Sequence, residues 1–88
     1  MKIVKIPIEM IACFSEKGIP YPLKFKMSED SDHPPIIIKV DIIIHRESEK
    51  MAGNAMYIFR CQSLIDDELR VYELKYELST CKWFLYKM

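Results

Sequence analysis

The nine residues Ile36-Ile37-Ile38-Lys39-Val40-Asp41-Ile42-Ile43-Ile44 carry β-branched side chains at every position except Lys39 and Asp41. Such side chains crowd the preceding turn of a helix but sit well on a pleated surface, so this stretch is expected to be a strand. Ile36, Ile38, Val40, Ile42 and Ile44 recur at period two and form one apolar face. Ile37 and Ile43 add apolar ends to the opposite face, around Lys39 and Asp41. An antiparallel sheet normally keeps one face wet and polar. A central strand that is apolar on both faces therefore requires cover on both.

The rest of the chain reads as further strands. In residues 3–14, Ile6, Ile8, Met10, Ala12 and Phe14 share one parity. Pro7 has no amide proton, so this strand is expected to lie at an edge or to begin near Ile8. Ser15-Glu16-Lys17-Gly18 reads as a turn, with stiff extended chain at Pro20 and Pro22. Leu23, Phe25 and Met27 alternate with Lys24 and Lys26 in a second strand, and Ser28 to Pro35 reads as a loop. Beyond the isoleucine run, Arg46 to Asn54 is expected to be a polar connection, with room for one helical turn at Ser48–Met51. Residues 55–64 form a strand with Tyr57, Phe59 and Cys61 on one face and Ile58, Arg60 and Gln62 on the other.

Glu68 to Leu78 supports two readings. Ile65, Leu69, Tyr72 and Tyr76 have helical spacing, and Asp66 can cap a helix. Tyr72, Leu74, Tyr76 and Leu78 also alternate with Glu73, Lys75 and Glu77, and the strand reading is preferred. A break at Ser79-Thr80 then leads to a last strand over Trp83-Phe84-Leu85-Tyr86. The expected fold is all-β: one domain over residues 1–88, a five- or six-stranded antiparallel meander partly closed as a small barrel. At 88 residues one modest core is available. A domain of this size hides roughly 60–65% of its unfolded surface, so neither disulfide nor metal is obligatory.

Charge and cysteine usage narrow the functions. Thirteen basic residues balance thirteen acidic ones, which disfavours a nucleic-acid binder driven by counterion release and disfavours attachment to an anionic membrane. Cys13, Cys61 and Cys81 are odd in number and lack a C-x-x-C pair, which suits a reducing compartment; with no signal-peptide pattern at Met1–Glu9, a cytoplasmic location is expected. With His33 and His45 they show no zinc spacing, and neither Cys61 with His45 nor any carboxylate pair suggests catalysis. Glu29, Asp30 and Asp32, like Asp66-Asp67, lack the ligand spacing of a calcium loop. No catalytic, metal or cofactor-binding residue is assigned, no cofactor is expected and the chain reads as a non-enzyme.

Two binding readings remain. The two-faced apolar patterning points to a protein partner or a homodimer, with Ile37, Ile43, Phe84 and Tyr86 as the candidate interface. The alternative is a small barrel that stacks single-stranded nucleic acid on Tyr57, Phe59, Tyr72, Tyr76, Trp83 and Tyr86, with Arg60, Lys75, Lys82 and Lys87 on the phosphates.

Several segments also carry a resemblance: Pro7-Ile8-Glu9-Met10-Ile11-Ala12-Cys13-Phe14, Pro22-Leu23-Lys24-Phe25, Ile38-Lys39-Val40-Asp41, Ala52-Gly53-Asn54 and Phe59-Arg60-Cys61. Tyr72-Glu73-Leu74-Lys75-Tyr76 and Cys81-Lys82-Trp83-Phe84-Leu85 complete it. Over nearly its whole length the chain resembles a group of short, uncharacterised all-β proteins of clostridia-like Gram-positive bacteria. The resemblance implies a stand-alone bacterial domain with no assigned activity and no site residues.

Overall fold

The prolines and the paired turn residues set the path of the backbone. A computed structural model describes residues 1–28 and 31–88, and Glu29 and Asp30 of the acidic loop lie outside the described residues. Seven strands form: β1 (Ile3–Phe14), β2 (Pro20–Met27), β3 (Ile36–Lys39), β4 (Ile42–Met51), β5 (Asn54–Ile65), β6 (Glu68–Glu77) and β7 (Lys82–Lys87). All pairings are antiparallel, in the order β3-β2-β1-β7-β6-β5-β4, and the sheet curls into a half-barrel. Among the described residues there is no helix, hence none long and apolar enough to cross a membrane. The helical reading of Glu68–Leu78 and the helical turn at Ser48–Met51 both give way to strand.

The count of seven exceeds the expected five or six because the isoleucine run is not one strand. It bends at Val40–Asp41, pairing with β2 before the bend and with β5 after it. The two outermost strands of the sheet are thus joined by only two residues. Alternation also slips across the bend. Ile38 is buried and Val40 packs on the core, yet beyond Asp41 it is Ile43 that faces buried Cys61 while Ile42 faces Gln62. A bulge at Ile44 shifts the register again. The unbroken Ile36–Ile44 face therefore does not exist.

Ser63 pins this bend. Its hydroxyl lies 2.6 Å from the Lys39 carbonyl and 2.6 Å from Tyr72 Oη. Having one proton, Ser63 donates it to the carbonyl, which can only accept, and so receives the Tyr72 hydroxyl proton. The Asp41 carboxylate accepts the Leu64 amide at 2.8 Å, tying the same corner to β5.

Arg46 to Asn54 is not a loop. Met51 pairs with Asn54 across Ala52-Gly53, both with positive φ (51° and 82°), as a two-residue type I′ hairpin requires. β4 can be polar on both faces because it is an edge strand and nearly all of it is exposed. Asp66-Asp67 (φ 51° and 64°) makes the same turn between β5 and β6.

β1 changes partner halfway. Ile3 to Ile8 pair with β7 and Glu9 to Phe14 with β2, so each half has one paired edge. Neither expectation for this strand holds: β1 lies inside the sheet between β2 and β7 and begins at Ile3, and Pro7 is accommodated because its half of the strand pairs with β7 alone. Pro20 and Pro22 lie inside β2 and are fully buried, where simple extended linker was expected. A bulge in β2 at Leu23, between the pairs Ile11–Lys24 and Ala12–Pro22, sits beside Pro22, which cannot donate a ladder hydrogen bond. It leaves Leu23 exposed, although alternation in the sequence set it with Phe25 and Met27.

The concave side holds the core: Phe25, Met27, Ile38, Phe59, Cys61, Tyr72, Leu74, Tyr76, Trp83 and Leu85, with Ile6, Ile8, Met10 and Ala12 packed against it. Phe14, expected on that face, is more than half exposed and reaches only the edge of the Tyr76 ring, 6.4 Å between centroids.

Candidate interaction surfaces

The four interface residues read from the sequence are not brought together. Ile37 is 66% exposed on β3, opposite Lys26. Ile43 stands on the inward parity, opposite Cys61. Phe84 and Tyr86 share the outer side of β7 and line one cleft.

A different apolar surface forms on the convex side of β4, β5 and β6. Ile42 pairs with Gln62, Gln62 with Val71, and Leu64 with Leu69, so all five side chains share one face. Ile42, Leu64, Leu69 and Val71 are each between 39% and 69% exposed. Beside them Arg60 and Glu73 form an ion pair at 3.7 Å. The sequence did hold a signal for this patch: a two-residue turn at Asp66-Asp67 sets Leu64 against Leu69. Helical spacing obscured it, since Leu69 fits both patterns.

The second surface is the cleft of about 350 Å³ lined by Lys5, Met56, Lys75, Glu77, Phe84 and Tyr86. Tyr86 lies at an irregularity in both of its ladders. Toward β1 it faces two residues, Val4 and Lys5, between the pairs Ile3–Lys87 and Ile6–Leu85. Toward β6 it is the extra residue between Leu74–Leu85 and Glu73–Lys87. Lys5 takes a left-handed conformation at this bulge (φ 47°), which is costly for a residue with a Cβ. Three ammonium groups approach the Tyr86 ring: Lys75 at 3.7 Å from its centroid, Lys5 and Lys87 at 5.8 Å each. Lys75 is buried along its stem and has one carboxylate partner, Glu49, at 3.4 Å. Glu77 is already engaged. Thr80 Oγ1 donates to it at 2.6 Å and Asn54 Nδ2 at 2.9 Å, which holds its carboxyl below the usual carboxylate range.

A depression of about 650 Å³ opens where β1 runs past the end of β7, between Met10, Ala12, Phe14, Tyr76 and Trp83. It is the open mouth of the core, and Lys82 is the one charged side chain among its described lining residues.

Burial decides the chemistry of the remaining candidates. Phe59, Tyr72, Tyr76 and Trp83 are core side chains whose faces meet each other or neighbouring rings, so they offer no stacking surface. Tyr57 stacks on Tyr76 (13° between planes), leaving Tyr86 the most accessible ring of the set besides Tyr57. Cys61 is fully buried, and loss of hydration pushes its thiol up to about 12, so it is protonated at neutral pH. Among the described residues no three His, Cys, Asp or Glu side chains converge as metal ligands. No family model, curated protein or solved structure matches the chain.

Proposed function

We infer that this protein is a non-enzymatic interaction module that self-associates through the convex face of β4–β6. The observation that carries this reading is the contiguous exposure of Ile42, Leu64, Leu69 and Val71 on three neighbouring strands. Contiguous apolar surface of this kind on a small domain is covered by a partner. A second copy fits best. A two-fold contact apposes like surfaces, and the rim carries both signs, Arg60 and Glu73, so each sign can meet the other across the axis. The cytoplasm remains the proposed location, on the strength of three unpaired thiols.

Native mass spectrometry across a dilution series is the test. A dimer that Leu69→Lys converts to a monomer supports the reading. A wild-type monomer at tens of micromolar overturns it.

Binding of single-stranded nucleic acid is the second reading, favoured by the lysines gathered at Tyr86 and disfavoured by the burial of Phe59, Tyr72, Tyr76 and Trp83. Oligonucleotide affinity that falls steeply between two salt concentrations would replace the assembly reading with this one.

A further inference from the structure

The geometry points to an anion-binding site at the rim of the Tyr86 cleft, specific for a phosphate group held between Lys5, which lines the cleft, and Lys87, which reaches the Tyr86 ring from outside it. This inference does not rest on self-association, which concerns the opposite end of β6 and other side chains.

Charge balance is the first argument. A ring face attracts a cation, and Lys75 at 3.7 Å already uses that attraction and is neutralised by Glu49. Lys5 and Lys87 bring two more ammonium groups to 5.8 Å of the same centroid. Neither has a carboxylate within 4 Å among the described residues. Glu77 lines the same cleft and stays ionised, held low by Thr80 and Asn54, while Glu73 pairs with Arg60. With Glu49 and Glu77 set against Lys5, Lys75 and Lys87, one positive charge remains in excess. Two like charges converging on one ring repel each other, and a doubly charged anion between them removes that repulsion.

Backbone geometry is the second. Lys5 reaches the ring only because the β1 bulge holds it at φ 47°, a conformation that glycine would adopt at less cost. Strain of this kind at a bulge that redirects a charged side chain into a cleft is a mark of a binding position. The cleft, about 350 Å³ and floored by Met56 and Phe84, has room for a phosphate with a small attached group. Compact ammonium groups suit phosphate as point charges.

The test is an NMR titration with inorganic phosphate, reading the Lys5, Tyr86 and Lys87 amides against sodium chloride at matched ionic strength. Saturable shifts are expected in the wild type, with half-saturation at least fivefold higher in Lys5→Gly and in Lys87→Gln. Lys5→Gly relieves the backbone, so loss of binding there is not loss of fold. Shifts that match those of chloride, or half-saturation unchanged in both variants, overturn the site. A mononucleotide and a short oligothymidylate then identify the source of the phosphate. Equal affinity per phosphate assigns a small phosphorylated molecule, and far tighter oligonucleotide binding at the same amides assigns a nucleic-acid strand.

Discussion

Ser63 is a small residue whose environment gives it a large effect. It is fully buried, joins the Lys39 carbonyl to the Tyr72 hydroxyl, and sits where the sheet turns its corner. Ser63→Ala leaves the buried Tyr72 hydroxyl and the partly buried Lys39 carbonyl each with one hydrogen bond fewer, a loss of about 1–3 kcal/mol. Urea unfolding should show a lower midpoint with an unchanged slope. Cys61 and Tyr72 make the fold sensitive to alkali. Burial raises both groups above their ordinary values, Cys61 from 9.0 to about 12. The unfolded chain therefore releases these protons first, and stability is complete below pH 9 and declines as pH rises toward 12. Denaturation midpoints measured from pH 7 to 11 should be flat and then fall, with an earlier and shallower part of the fall removed in Cys61→Ala. Thiol labelling reports the same burial: exposed Cys81 should react in the native protein and Cys61 only on unfolding.

At the scale of the element, the two tight hairpins are built from residues that are not the best for their turns. Ala52 at φ 51° and Asp67 at φ 64° occupy positions where Asn or Gly is preferred. Ala52→Asn and Asp67→Gly should each stabilise by about 0.5–1 kcal/mol. For a domain of this length that is roughly 2–8 °C in melting temperature, readable by calorimetry. Alternation identified β5 and β7 from the residues alone, because each has a strongly apolar inward set facing one core, and in β2 it placed Phe25 and Met27 but not Leu23, which the bulge leaves exposed. β4 was not legible. Its sequence, His45-Arg46-Glu47-Ser48-Glu49-Lys50, has a strand's backbone without a strand's pattern, since an edge exposed on both faces imposes no apolar alternation. β6 was ambiguous for the opposite reason: Leu69 and Val71 are apolar on the outer face while Tyr72, Leu74 and Tyr76 are apolar on the inner one.

For the whole molecule, curvature determines which apolar residues are left over. Curling folds the inner set of every strand onto one core, and what remains exposed gathers where strands extend beyond their neighbours. Leu64 and Leu69 flank a hairpin tip, and Ile42 follows the bend. If these residues form the contact between copies, Leu64→Glu and Leu69→Lys should each raise the dimer dissociation constant at least tenfold, while the double variant regains part of the loss through the new charge pair. Analytical ultracentrifugation of the three variants measures this directly.

The residues alone determined an all-β, antiparallel chain, the inward sets of most strands, and a surplus of apolar surface that the core does not consume. Those follow from local physics: β-branched propensity, period-two alternation, and turns at Gly, Asp and Pro. The location of the surplus was decided only by tertiary structure. Ile43 takes the inward parity, though it stays exposed, and Ile42 the outward one because the two-residue bend shifts alternation by one; the bulge at Ile44 shifts it again, and neither leaves a periodic mark. The gathering of Lys5, Lys75 and Lys87 on Tyr86 was equally hidden. It joins three strands through register, and register is set by pairing partners that lie far apart in the chain.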